Sequence, residues 1–199
     1  MSVATIDQLP EGPLSREHHQ ELALAKQRAK KIRRAASVAA FNGWSIGIFA
    51  ALSAPFALFS IAGFLVTAGL AIIAANEFRG RRGLLRFDPS ASALLGWNQI
   101  GLVTLIVLYC AWMLYSGLTG GGPFSGDLQA HPELATALDS MQVDGLYKMI
   151  VVAVYGSVIV FSSMAQGFNA FYYFTRRELI EAYLRATPDW VLELLRSTE

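Results

Sequence analysis

Five amide side chains lie within the otherwise apolar stretches of this sequence, and they are the first candidates for chemistry. They are Asn42, Asn98, Gln99, Gln166 and Asn169. An amide both donates and accepts hydrogen bonds, so it can link neighbouring helices or line a polar cavity. Two interpretations therefore stay open at this point. The amides either make interhelical hydrogen bonds or form a small polar cavity, open to the cytoplasm, that receives a headgroup or a small molecule.

The sequence lacks the Cys-x-x-Cys pair, the His-Glu-x-x-His motif, the P-loop and the dinucleotide-binding fingerprint. Its histidines, His18, His19 and His131, all lie outside the apolar stretches. A haem held within a bilayer by histidines of this chain is therefore excluded. We predict no catalytic residue, no metal site and no cofactor.

Acidic residues beside the apolar stretches give two further candidate sites. In an enzyme that acts on lipid at the cytoplasmic face, the residues to test would be Asn76, Glu77, Asp88 and the arginines of the middle loop. A second acidic group accompanies His131 and consists of Asp127, Glu133, Asp139 and Asp144. Its spacing does not match the alternating acids of a calcium-binding loop, so we interpret it as a solvated loop.

Membrane-spanning helices are the elements predicted to carry these residues. Of the 199 residues, 54% are hydrophobic and only 16% are charged, whereas soluble domains carry about 25% charged residues. No Asp, Glu, Lys or Arg occurs in 35–75, 94–115 or 149–175. One crossing needs roughly 20 apolar residues, so the first stretch holds two helices, with a turn at Ser53-Ala54-Pro55. The predicted helices are 36–52, 56–75, 94–118 and 147–174, with an outer loop at 119–146.

The basic residues predict how these helices are oriented. Fifteen of the 16 lysines and arginines lie before the first helix, between the second and the third, or after the fourth, and the exception is Lys148. Positive charge favours the cytoplasmic side, so both termini and the middle loop are predicted to be cytoplasmic. The 12 arginines against 4 lysines, with abundant alanine, indicate a GC-rich bacterial genome and hence the inner membrane.

Small residues recur at four-residue spacing on the first two helices. They are Ala39, Gly43, Gly47 and Ala51, followed by Gly63, Thr67 and Ala71. Small side chains let helix backbones approach closely in a membrane. The pattern favours packing of the first helix against the second. A docking face for another subunit remains the alternative.

Amphipathic helices are predicted at both ends of the chain. The segment 15–34 begins at Ser15, a suitable N-cap, and ends in basic residues that suit anionic lipid headgroups rather than nucleic acid. These are Lys26, Arg28, Lys30, Lys31, Arg33 and Arg34. Segment 176–199 holds two short helices, whose apolar faces lie in the membrane interface or dock on a partner. These faces are Leu179, Ile180, Tyr183 and Leu184, then Trp190, Val191, Leu194 and Leu195.

Together these patterns predict an all-α membrane protein of four transmembrane helices, arranged as two antiparallel hairpins. The domains are a cytoplasmic segment 1–34, a transmembrane domain 35–175 and a cytoplasmic segment 176–199. The leading function is association, as an accessory, scaffold or assembly subunit of a membrane complex or as a homo-oligomer. The alternatives are a transporter or channel component whose pathway forms in an oligomer, and the lipid-acting enzyme.

Overall fold

The computed structural model describes residues 15–120 and 143–197, and every regular element within those ranges is an α-helix. The helices are α1 (Arg16–Ala57), α2 (Ile61–Leu85), α3 (Pro89–Thr119), α4 (Val143–Phe174), α5 (Arg176–Arg185) and α6 (Asp189–Ser197). Four helical stretches are long and apolar enough to cross a membrane: Arg16–Ala57, Ile61–Leu85, Pro89–Thr119 and Asp144–Arg185. Most of the acidic outer loop and residues 1–14 fall outside the described residues.

Helix α1 joins two predicted segments into one helix of 42 residues. It begins with a reciprocal cap, in which the Ser15 hydroxyl accepts from the His18 amide and His18 Nδ1 accepts from the Ser15 amide. The predicted turn at Ser53-Ala54-Pro55 lies inside this helix. Pro55 has no amide proton and so cannot donate the helical hydrogen bond to Ala51, but the helix continues past it for two residues and the chain turns only after Ala57.

The turn between α1 and α2 depends on a close backbone approach. The Ser60 hydroxyl caps α2 by accepting from the Gly63 amide at 2.9 Å. A Cβ on Gly63 would lie only 2.4 Å from the carbonyl oxygen of Phe56, so a larger residue does not fit without moving the backbone. Gly63, predicted as a packing residue, therefore contacts the turn.

The turn between α2 and α3 holds a buried aromatic residue in a left-handed conformation. Phe87 has φ of 58°, a region that costs a residue with a Cβ roughly 1–2 kcal/mol. Its ring is buried and lies 4.7 Å from the ring of Tyr183 in α5, which offsets that cost. Asp88 then caps α3 by accepting from the Ser90 amide at 2.9 Å, and Pro89 takes the first helical position.

Most buried apolar residues belong to one cluster, here called the large core. It joins the first half of α1, the end of α2, the start of α3, the end of α4, and both α5 and α6. Ile180, Tyr183, Val191 and Leu195 are among its buried members. The apolar faces of α5 and α6 are thus covered largely by the chain itself. Neither of the two predicted destinations, the membrane interface or a partner, is needed to bury them.

The apolar halves of the long helices are packed more loosely. A small core of four buried residues, Ile46, Ile73, Ala74 and Leu102, joins α1, α2 and α3. Helix α1 packs chiefly against α2, α3 packs against α4, and α2 contacts α3. Helices α1 and α4 make little contact with each other. This open seam between them forms the candidate site.

Candidate functional site

A cleft of about 720 Å³ lies among the four long helices, where α1 and α4 do not close on each other. Its walls come from α1, α2, α3 and α4 and are mainly apolar, with Ile46, Phe49, Leu102 and Leu105 among them. This volume lies within the range of about 300–1,000 Å³ that is usual for small-molecule sites. The cleft is therefore large enough to hold a ligand.

Three amides line the cleft towards the large core. Asn42 is near the α1 end of the lining, Gln99 is the first α3 residue to reach it, and Gln166 is the last on α4. Asn42 Nδ2 donates to the Tyr173 hydroxyl at 3.3 Å, which links α1 to α4 beside the large core. Gln166 Oε1 is buried and accepts no hydrogen bond.

A buried carboxyl group stands directly behind the cleft wall. Glu77 is 0% exposed, and its Oε1 accepts hydrogen bonds from Asn98 Nδ2 and Gln99 Nε2, each at 2.7 Å. Its Oε2 is buried and has no hydrogen-bond partner. Asn98 Nδ2 also donates to the Ile73 carbonyl at 3.0 Å. We call Glu77, Asn98 and Gln99 the Glu77 cluster; it ties α2 to α3 and fixes the amide of Gln99.

The structure brings together three of the five predicted cavity residues. Asn42, Gln99 and Gln166 line the cleft, whereas Asn98 turns to Glu77 and Asn169 is not part of the lining. Each of the two interpretations therefore describes part of the set. Asn42, Asn98 and Gln99 make interhelical hydrogen bonds, and Asn42, Gln99 and Gln166 line a cavity.

The predicted small-residue stripe meets α2 at other positions than expected. A Cβ on Gly43 would lie 3.1 Å from Glu77 Cβ, and one on Gly47 would lie 3.9 Å from Ala74 Cβ. Ala39 is buried, while Ala51 and Ala71 are exposed and Thr67 is half-buried. The first helix thus presents its glycines to α2 near the Glu77 cluster.

Burial of Glu77 is the functional feature that sequence reasoning missed. Because Glu77 follows the end of the predicted span at 75, the sequence predicts it at the cytoplasmic surface. In the structure α2 continues to Leu85, and Ile73, Glu77, Gly80 and Leu84 are all buried on one face. Their spacing of three and four residues is typical of one buried helix face, a signal that uncharged stretches alone do not contain. The other candidate carboxyl, Asp88, caps α3 instead.

The prediction of no catalytic residue overlooked one serine in the spacing Gly-x-Ser-x-Gly, at Gly43-Trp44-Ser45-Ile46-Gly47. A nucleophile of that motif needs a strained turn between a strand and a helix. Here the five residues lie inside the continuous helix α1, and Ser45 simply lines the cleft. Among the described residues, no group of three or more His, Cys, Asp or Glu side chains is arranged to hold a metal ion.

These features define an all-helical protein with four helices able to cross a membrane and a cleft among them. Comparison with protein-family models, with curated proteins and with solved structures finds no match to the chain.

Proposed function

We propose that this chain is a multi-pass protein of the bacterial inner (plasma) membrane that acts by association, as an accessory, scaffold or assembly subunit of a membrane complex. In this proposal α1 with α2 and α3 with α4 form two antiparallel hairpins. The basic residues keep both termini and the amphipathic terminal helices on the cytoplasmic side. The four long apolar helices and the uneven distribution of basic residues support this placement.

One observation carries the proposal of association: on one face of α4 the glycines leave open the space that a side chain would occupy. A Cβ added to Gly145, Gly156 or Gly167 would meet no atom within 4 Å beyond its local stretch of helix. These residues recur every eleven positions, which is about three helical turns and therefore the same face. Each glycine costs a helix interior roughly 1 kcal/mol relative to alanine, and nothing in the described chain offsets that cost.

Several glycines on the other helices do face a neighbouring helix, although Gly101 on α3 does not. A Cβ on Gly69 would lie 2.8 Å from Leu105, one on Gly80 would lie 2.4 Å from Leu95, and one on Gly96 would lie 2.6 Å from Phe174. In this protein helix glycines commonly mark a close helix contact. By the same logic the glycine face of α4 is the contact surface for a transmembrane helix of another chain, either a partner protein or a second copy.

Anionic headgroups are the second proposed partner. Lys26, Arg28, Lys30, Lys31 and Arg34 are exposed and Arg33 is half-buried, on the part of α1 that precedes its apolar half. Each such residue near an anionic surface contributes about 1 kcal/mol of attraction. Arg28 also donates to the Ala186 carbonyl at 3.1 Å, so its guanidinium group is already partly engaged at the end of α5.

Site-specific photocrosslinking in native membranes tests the proposed contact. Ser163 lies close to Gly156 and Gly167 on the α4 helical wheel and is exposed, whereas Val154 is exposed on another face. A benzophenone amino acid at 163 is expected to form an adduct with a defined protein, identified by mass spectrometry. The same probe at 154 is expected to crosslink only lipid.

Leucine at the glycines supplies the second arm of this test. Gly156→Leu and Gly167→Leu are expected to abolish the adduct at 163 and leave the chain folded, because the new side chain meets no atom of a neighbouring helix. Val154→Leu is the matched control and is expected to change nothing. A chain that purifies in gentle detergent as a monomer, with only lipid adducts at 163, would contradict the proposal.

A further inference from the structure

The cleft lies on a different face of α4 from the glycines, and the chemistry of its lining identifies an occupant. On α4 it is lined by Tyr155, Val158, Ser162 and Gln166, which are displaced by about 100° from the glycine face. We propose that the cleft binds one molecule of a neutral single-chain lipid with a hydroxyl-bearing head, such as a monoacylglycerol or a long-chain alcohol.

The three amides in the cleft offer hydrogen-bond acceptors, while the hydroxyls that also line it, among them Ser45, Tyr155 and Ser162, can both donate and accept. Gln99 is 1% exposed and its Nε2 is held by Glu77, which leaves its Oε1 as its remaining acceptor. Asn42 donates to Tyr173, which leaves Asn42 Oδ1 as the acceptor of that side chain. Gln166 Oε1 is buried without a partner. A ligand that satisfies these amide oxygens must supply hydrogen-bond donors. In a neutral lipid head, hydroxyl groups are the donors.

Charge in and behind the cleft wall excludes an ionic head. All the residues that line the cleft belong to the described helices, and none of them is charged. The nearest carboxyl group is Glu77, which shares a hydrogen bond with the lining residue Gln99. A phosphate head would find no cation and would approach a carboxyl group. An ammonium head would exchange its hydration for the neutral oxygens of the lining, because Glu77 is not part of the lining and its Oε1 already accepts from Asn98 and Gln99.

The dimensions of the cleft match one lipid leaflet. On α1 the lining runs from Phe41 to Ser53 and on α4 from Tyr155 to Gln166. At 1.5 Å per residue the two walls are about 16–18 Å long, close to half of the roughly 30 Å hydrocarbon core. The three amides stand at one end, towards the large core, and apolar side chains dominate the rest. A lipid therefore enters with its head beside the large core and its chain along the cleft.

Three probes that share the oleoyl chain separate the possible occupants. Purified full-length protein in detergent is titrated with 1-oleoylglycerol, methyl oleate or 1-oleoyl lysophosphatidate, and bound mass is counted by native mass spectrometry. We expect one 1-oleoylglycerol per chain, held at least tenfold more tightly than the other two, because two or more hydrogen bonds are at stake. Methyl oleate binding equally well, lysophosphatidate binding more tightly, or no one-to-one complex would each overturn the proposal.

Two valines one turn apart on α4 give a matched pair of variants. Val158 lines the cleft and is 40% exposed, whereas Val154 does not line it and is 49% exposed. Val158→Trp is expected to weaken binding at least tenfold and Val154→Trp to leave it unchanged. Gln166→Leu, which removes one acceptor, is expected to weaken it about threefold to tenfold. Equal effects of the two tryptophans would overturn the site.

Separate controls test whether each variant is folded and whether lipid binding depends on association. Each variant is kept only if its thermal unfolding midpoint in detergent equals that of the wild type, and Ser162→Phe replaces Val158→Trp if the latter unfolds. Gly156→Leu and Gly167→Leu are expected to bind 1-oleoylglycerol normally. Normal lipid binding in these variants together with loss of the crosslink shows that the two sites act independently. Loss of lipid binding in either glycine variant would overturn the assignment of the lipid to the cleft.

Discussion

The large core and the small core use the same kinds of apolar side chain but bury them to different extents. Sixteen buried residues form the large core, which includes α5, α6 and the basic half of α1. Four form the small core, between the apolar halves of the long helices. Large side chains there, such as Phe49, Leu52 and Leu108, are more than half exposed. Packing is therefore concentrated at the end of the molecule that carries most of the charge.

The difference follows from the solvent that each region is proposed to meet. Apolar groups at the charged end leave water when they pack, so the hydrophobic effect drives their burial. Lipid tails are as apolar as leucine, so the apolar halves of the helices gain only dispersion contacts, small-residue packing and hydrogen bonds from closing. An open cleft between α1 and α4 thus costs little in a bilayer, whereas the same opening in the large core would be strongly destabilising.

The same substitution, leucine to alanine, made once in each core is the strongest test of whether the two cores differ in packing. Leu95 is 0% exposed in the large core, while Leu102 is 5% exposed but borders the cleft. Leu95→Ala is expected to lower the free energy of unfolding by about 2–5 kcal/mol. Leu102→Ala is expected to cost under about 2 kcal/mol, because lipid or detergent chains fill the space that it leaves. Thermal unfolding in mild detergent measures both.

Leu108→Ala on the same helix serves as the control for that series. This leucine is 65% exposed, and its truncation is expected to leave the unfolding midpoint nearly unchanged. If Leu95→Ala and Leu102→Ala lowered stability equally, the small core would be as tightly packed as the large core. The distinction between the two regions would then be lost.

Polar contacts in the Glu77 cluster provide the next test, with a smaller expected effect. Gln99→Leu removes one of the two donors to a fully buried carboxyl group and is expected to cost about 1–3 kcal/mol. Glu77→Leu leaves the amides of Asn98 and Gln99 without their acceptor and is expected to cost a similar amount. The double variant removes both partners, so its loss is expected to be smaller than the sum of the two single losses.

Chemical denaturation of the four proteins in that cycle measures the coupling directly. An additive double variant would show that the 2.7 Å contact between Gln99 and Glu77 contributes nothing jointly, and Gln99 would not be part of the link between α2 and α3. Asn76→Leu is a useful comparison because Asn76 neighbours Glu77 on α2 but is only half-buried. Its substitution is expected to change stability by less than either cluster variant.

The number and approximate position of the long helices could be predicted from the sequence because lipid permits few charges. The three uncharged stretches and the length of a crossing sufficed to predict four helices, which the structure has. The end of α1 could not be predicted in the same way. Pro55 alone indicated a turn, but the chain turns between Ala57 and Ile61, where Gly63 leaves room for the Phe56 carbonyl group.

The part of the candidate site that could be predicted from the sequence is the part made by a single, conspicuous residue type. Amides within apolar stretches stand out, and three of them do line the cleft. Glu77 did not stand out because it follows the last uncharged residue of its stretch, and its burial depends on Asn98 and Gln99 from another helix. The cleft itself depends on the distance between α1 and α4, which are far apart in the sequence.

Substitution of exposed charged residues on the large core is expected to have the smallest effect on stability. Arg177 pairs with Glu181 one turn along α5 at 3.0 Å, with both side chains more than a third exposed. Arg177→Ala is expected to cost under about 0.5 kcal/mol, since solvent and salt screen such a pair.

Arg28→Ala is expected to cost about 1 kcal/mol, because the Arg28 guanidinium donates a hydrogen bond to the Ala186 carbonyl and so ties α1 to the end of α5. If thermal unfolding in detergent ranked the two arginines the other way, the hydrogen bond from Arg28 to Ala186 would not be a significant tie between α1 and the end of α5.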